Sequence, residues 1–106
     1  MLNDLGKAAY DNAVAHGFYE EPPSVPERLC LIHSEVSEAL EDYRDGNMEP
    51  ATTESGKPIG FPSELADALI RIVDLAYYKG IDLDEAVRVK MAYNITRPFK
   101  HGRKVL

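Results

Sequence analysis

Apolar residues recur along the chain at intervals of three and four, and Gly and Pro fall between these runs at positions that start or stop helices. The punctuation predicts four helices. Asn3 is placed to cap a first helix over about 4–16, which Gly17 ends in the left-handed conformation. Phe18 to Val25, with Pro22 and Pro23 inside, reads as a connecting loop. The second helix starts at Pro26, where a missing N–H costs nothing, and runs to Asp45 before Gly46 stops it. A long loop follows, about 46–61, rich in Pro, Gly, Thr and Ser; a loop of that length in a small domain is usually functional or mobile. The third helix runs from Pro62 or Ser63 to Lys79 and closes at Gly80. The fourth begins at Asp82, with Glu85 completing an acid-rich first turn, and Pro98 terminates it. No stretch alternates as a strand. The expected fold is therefore all-α, one domain over residues 1–106 with a basic C-terminal tail over about 98–106.

Helical projection assigns faces. On the second helix Leu29, Ile32, Val36, Leu40 and Tyr43 form the expected core stripe, with His33 projecting alongside as a packed histidine. Glu35, Glu38 and Asp42 line up beside that stripe, together with Leu31. On the third helix Leu65, Ala66, Ala68, Leu69, Ile70, Ile72, Val73, Ala76 and Tyr77 cover most of the circumference, leaving a narrow strip of Glu64, Asp67, Arg71 and Asp74. A helix apolar nearly all round must be buried on several sides. In a chain this short that predicts a subunit interface as well as an internal core: a four-helix-bundle-like domain completed by homo-oligomerisation, as a homodimer or homotetramer.

The acidic positions carry the candidate chemistry. Glu35 and Glu38, and Glu64 and Asp67, are three apart, so each pair shares a helix face, and two such helices side by side would converge four carboxylates. Oxygen ligands of this kind suit Mg²⁺ or Mn²⁺ rather than zinc. A solvated helix face shows the same spacing. Turned inward, however, close carboxylates repel by about 1–4 kcal/mol per pair, which calls for a cation between them. A di-iron carboxylate centre would want Glu-x-x-His, but Glu41 and Ile70 stand three after Glu38 and Asp67.

Basic residues supply a complement. Lys90, Asn94 and Arg97 are spaced to share one face of the fourth helix, and Lys100, His101, Arg103 and Lys104 follow Pro98. Such a patch can hold phosphate oxygens, although basic residues at a helix C-terminus also serve to complement the helix dipole. Phe18 and Tyr19 could stack on a nucleobase or cap the first helix, and Arg71 could touch substrate or neutralise Asp67 and Asp74. The net charge of −6 argues against a nucleic-acid polymer as partner. Cys30 is alone, so no intramolecular disulfide forms, and no segment has the apolar run of a signal peptide or membrane span. A cytoplasmic protein without a membrane partner is expected.

Two runs, LCLIHSEVSEALEDYRDG and KPIGFPSELADALIRIVDLAYYKGIDLDEAVRVKMAYNITRPFKHGRK, resemble the MazG-like all-α nucleoside triphosphate pyrophosphohydrolases. The similarity covers about Pro26 to Lys104, preceded by a typical HGFY, and its most specific part is the order Glu-x-x-Glu, loop, Glu-x-x-Asp, then Lys, Asn and Arg. The resemblance implies that Glu35, Glu38, Glu64 and Asp67 bind Mg²⁺ and that Lys90, Asn94 and Arg97 contact phosphate or ribose. It also implies a reaction: hydrolysis of a nucleoside triphosphate between the α- and β-phosphates, in which a carboxylate not fully committed to metal, Glu38 or Glu35, could accept the proton of the attacking water. Many members carry a further Glu before the first metal ligand, where this chain has Ser34. Hydrolysis of phosphoribosyl-ATP is a sister activity on the same type of scaffold, and a non-catalytic helical oligomer with an acidic groove is the alternative of a different class.

Overall fold

The structure, a computed structural model, describes residues 1–99. The helices are α1 (Leu2–Ala15), α2 (Val25–Arg44), α3 (Phe61–Tyr78) and α4 (Leu83–Thr96). Two strands of two residues each, β1 (Ala51–Thr52) and β2 (Pro58–Ile59), make a small antiparallel hairpin within the long loop. The absence of alternation could not reveal this hairpin, because both its strands are exposed and bury no face. Among the described residues, no helix is long and apolar enough to cross a membrane.

Local chemistry explains the helix ends. Ser24 and Glu27 form a capping box at α2: the Glu27 amide donates to Ser24 Oγ at 3.3 Å, and the Ser24 amide donates to Glu27 Oε1 at 3.4 Å. Asn3 does not cap α1; it lies in the first turn of that helix. Its side-chain oxygen instead accepts from the amides of Leu83 and Asp84, at 3.0 and 3.3 Å, at the start of α4. Asp84 returns the favour by accepting from the amides of Leu2 and Asn3 at 2.7 and 3.0 Å. Two helix N-termini thus satisfy each other's free N–H groups, a tertiary pairing that a local reading of Asn3 misses.

Helix α3 is the centre of the molecule, with α1 and α2 both packed against it. The described apolar core consists of small residues: Ala39 of α2 and Ala68, Val73 and Ala76 of α3. Gly6 sets the α1–α3 approach, since a Cβ there would lie 2.6 Å from the Val73 carbonyl oxygen. Gly60, at φ 101°, leads the long loop into α3 and sits so close to Glu49 that a Cβ would come within 2.6 Å of its carbonyl oxygen.

The face by which α2 docks differs from the expected one. Arg28, Glu35 and Ala39 are its buried residues, whereas Leu29, Val36, Leu40 and Tyr43 are exposed, Leu40 by 47% and Tyr43 by 63%. His33 is exposed as well. Periodicity gave a stripe but not its destination. Burying charge is tolerable here because Arg71 pairs with Glu35 and Asp74 with Arg28. On α3, Leu65, Leu69 and Ile72 likewise remain exposed. The four helices do not close a bundle within one chain: α4 packs chiefly on α1 and buries no residue. The chain exposes 8234 Å² in all. A compact protein of 11.8 kDa exposes about 5,900 Å², and the difference is more than residues 100–106 could add in any conformation.

Candidate metal centre and adjoining cleft

Glu35 of α2 and Glu64 and Asp67 of α3 each present a carboxylate oxygen such that the three oxygens lie within 4.8 Å of one another. Packing of α2 on α3 creates the meeting point, and the i, i+3 spacing puts Glu64 and Asp67 on the same face. Oxygens bound to one octahedral Mg²⁺ lie about 3.0 Å apart when adjacent and about 4.2 Å apart when opposite, so side-chain rotation of up to about 2 Å would bring the trio onto one ion. Glu38, one turn beyond Glu35, is exposed and lies against Glu64.

Electrostatics at Glu64 tests whether a cation fits. Its Oε2 is shut off from solvent without a hydrogen-bond partner, and so is Oδ2 of nearby Asp42. Burial, followed by a hydrogen bond to Glu38 and repulsion from Glu38, Asp67 and Asp42, pushes the Glu64 carboxyl up to about 7. A proton on Glu64, donated toward Glu38, relieves part of this repulsion near neutral pH. A divalent cation would relieve more and would occupy the orphaned oxygens. The donor set is entirely carboxylate oxygen, which fits Mg²⁺ or Mn²⁺.

Arg71 supplies positive charge to the cluster. Its Nε donates to Glu35 Oε1 at 2.9 Å, so this arginine reaches across to α2 rather than pairing along its own helix with Asp67 or Asp74. Asp74 is engaged elsewhere. It accepts from the Tyr19 hydroxyl at 2.6 Å and pairs with Arg28 Nη2 at 3.3 Å, while the same Arg28 nitrogen donates to the Tyr19 oxygen. Burial and the Asp74 hydrogen bond push the Tyr19 phenol up to about 12. Arg28 also lies over the rings of Tyr19 and Tyr78, 5.0 and 5.1 Å from their centroids. Tyr10 completes the knot, 4.6 Å from Tyr19 and 5.1 Å from Tyr77 between ring centroids. These contacts clasp the α1–α2 loop onto α3. Projection had identified Asp74 as part of the polar strip, but nothing in the sequence singled out Arg28.

From the acidic cluster a cleft of about 460 Å³ extends between α1, α2 and α3. Glu35, Asp67 and Arg71 line one part; Asn12, Phe18, Tyr19, Pro23 and Arg28 line another. The size suits a small organic ligand. Tyr19 is in the wall, as a base-stacking residue would be, but its hydroxyl is committed to Asp74 and Arg28. Phe18, 69% exposed, is the freer aromatic.

The basic face of α4 is not brought to this cleft within one chain. Lys90, Asn94 and Arg97 are absent from its lining, and Lys90 and Arg97 instead each lie 5.8 Å from the centroid of the Tyr93 ring. Lys100 and His101, expected to contact phosphate, lie outside the described residues, as do Arg103 and Lys104. Ser34 is exposed and donates to the Leu31 carbonyl oxygen at 2.7 Å, a bond along its own helix. Compared with family models, with curated proteins and with solved structures, the chain matches none.

Proposed function

We propose that this chain is a Mg²⁺-dependent nucleoside triphosphate pyrophosphohydrolase of the MazG-like type, cleaving its substrate between the α- and β-phosphates to give a nucleoside monophosphate and pyrophosphate. The observation that carries the reading is the continuity of one cleft from a carboxylate cluster to an aromatic wall. A triphosphate needs the first and a nucleobase fits the second. Glu35, Glu64 and Asp67 would hold Mg²⁺, with Glu38 at the edge of the set. When bound, the ion supplies charge neutralisation at the phosphate oxygens and lowers the pKa of a coordinated water. Of the two candidate bases, Glu35 is buried and tied to Arg71, whereas Glu38 is exposed and outside the converging trio. That difference supports Glu38 over Glu35 as the carboxylate that accepts the proton of the attacking water.

The working form in this proposal is a homodimer or homotetramer. Exposed apolar residues on α2 and α3 support it, because a contiguous apolar stripe of Leu29, Val36, Leu40 and Tyr43 is the kind of surface that a second copy covers. Lys90, Asn94 and Arg97 would then reach phosphate or ribose in the assembled oligomer. Pyrophosphate release across canonical and modified ribo- and deoxyribonucleoside triphosphates, with phosphoribosyl-ATP in the same panel, tests the activity. The proposal requires Mg²⁺-dependent release that Glu38→Ala abolishes. Turnover of phosphoribosyl-ATP alone would move the substrate to the sister reaction. No release from any member, with Glu38→Ala indistinguishable from the parent, would leave a helical binding module.

A further inference from the structure

We propose that Arg71 is an exchangeable counter-ion: its guanidinium neutralises Glu35 while the site lacks a divalent cation, then leaves Glu35 when the cation binds and turns into the cleft to hold phosphate oxygens. The phosphate half of this inference rests on the proposed nucleotide function; the exchange half does not. Glu35 is a buried carboxylate, and such a group needs a compensating charge at all times. Arg71 provides it through a single Nε contact of 2.9 Å to Oε1. That same carboxylate contributes an oxygen to the trio with Glu64 and Asp67. A divalent ion seated there would lie about 2.1 Å from its oxygen ligands, beside a guanidinium held by the same carboxylate. Two cations crowded on one carboxylate repel, and the doubly charged ion has three carboxylates to hold it where the guanidinium has one.

Arg71 is built for the exchange rather than for a fixed bridge. Its side chain is 43% exposed while that of Glu35 is 10% exposed, so the basic partner is free to move and the acidic one is not. Arg71 also lines the cleft together with Asp67. Rotation about its stem carries a planar donor fork toward the place where phosphates would meet the bound cation, and guanidinium is the side-chain group best matched to phosphate oxygens. One residue would then stabilise the empty site and read the substrate in the loaded one.

Calorimetric titration of the full chain with Mn²⁺ alone, and then with inorganic pyrophosphate at saturating Mn²⁺, separates the roles. The counter-ion exchange predicts opposite signs for Arg71→Gln: Mn²⁺ affinity without anion rises by at least about fivefold, and pyrophosphate affinity falls by at least about fivefold. Arg71→Lys, which keeps the charge but lacks the fork, should leave Mn²⁺ affinity near that of the parent and still weaken pyrophosphate binding; it also serves if the glutamine variant does not fold. Unchanged or weakened Mn²⁺ binding in Arg71→Gln would mean that the guanidinium does not compete with the cation for Glu35, and that result overturns the proposal. Tighter Mn²⁺ binding with pyrophosphate affinity unchanged is the result of a guanidinium that stays on Glu35 beside the cation, and would overturn the turn of Arg71 toward phosphate. Failure of nucleotide turnover in the panel above, with tighter Mn²⁺ binding intact, would sink the activity and leave the exchange standing.

Discussion

Replacing Glu64 by glutamine isolates the repulsion within the acidic cluster. The carboxyl of Glu64 is pushed from an ordinary 4.5 up to about 7. A raised acid is a penalty on the folded state above its pKa. Below pH 4.5 both folded and unfolded chains hold the proton; between 4.5 and 7 the folded chain binds more protons, so stability falls as pH rises; above about 7 the loss is complete. At 1.36 kcal/mol per pH unit, the rise from 4.5 to about 7 corresponds to about 3 kcal/mol, before solvent screening of a carboxylate that is only partly buried. About 1–2 kcal/mol is a fair expectation once that screening is included. Glutamine keeps the shape and removes the charge. At pH 8 without divalent cations, Glu64→Gln should therefore melt higher than the parent by about 5–10 °C, and the gap should narrow to a small remainder at pH 5. Saturating Mg²⁺ should reverse the order, because a site filled at 100 times its Kd stabilises the parent by about 2.7 kcal/mol while the variant, short of a ligand, gains little. Differential scanning fluorimetry from pH 5 to 8, with and without Mg²⁺, reads all of this. A variant no more stable than the parent at pH 8, or a gap independent of pH, would refute the electrostatic account of the cluster.

Three other perturbations probe separate parts of the structure. Tyr19→Phe removes the hydroxyl that joins Asp74 and Arg28 while leaving their ion pair, and should cost about 1–2 kcal/mol in urea denaturation; an unchanged midpoint would show that the clasp contributes nothing. Gly6→Ala forces a methyl against the Val73 carbonyl oxygen and should destabilise by about 1–3 kcal/mol despite the better helix propensity of alanine, so a stabilised variant would contradict the close α1–α3 approach. Leu40→Asp places a charge in the exposed α2 stripe: light scattering at micromolar concentration should show a smaller species than the parent, and a parent that is itself monomeric would refute self-association.

Helix existence was legible because its signals are local: Pro26, Gly17, Gly46 and Gly80 act within a few residues of where they stand. The convergence of Glu35, Glu64 and Asp67 was legible too, since i, i+3 spacing survives any docking that puts the two polar faces together. What escaped was pairwise and distant. Whether Glu35 or Val36 faced α3 depended on Arg71 and Asp74 supplying counter-charges from another helix, and a one-helix projection carries no such term. The Asn3–Asp84 exchange joins residues 81 positions apart. Arg28 became notable only once Tyr19, Tyr78 and Asp74 surrounded it.

The mutual capping of α1 and α4 has a mechanical consequence. Hydrogen bonds that join two helix starts fix one end of α4 and leave the remainder of its length to be held by whatever it meets, so the helix acts as a lever pinned at its N-terminal end. Because the pin is polar and local, small angular changes at Asn3 and Asp84 become large displacements at Asn94 and Arg97, and amides along α4 are expected to exchange with solvent deuterium far sooner than those of α3.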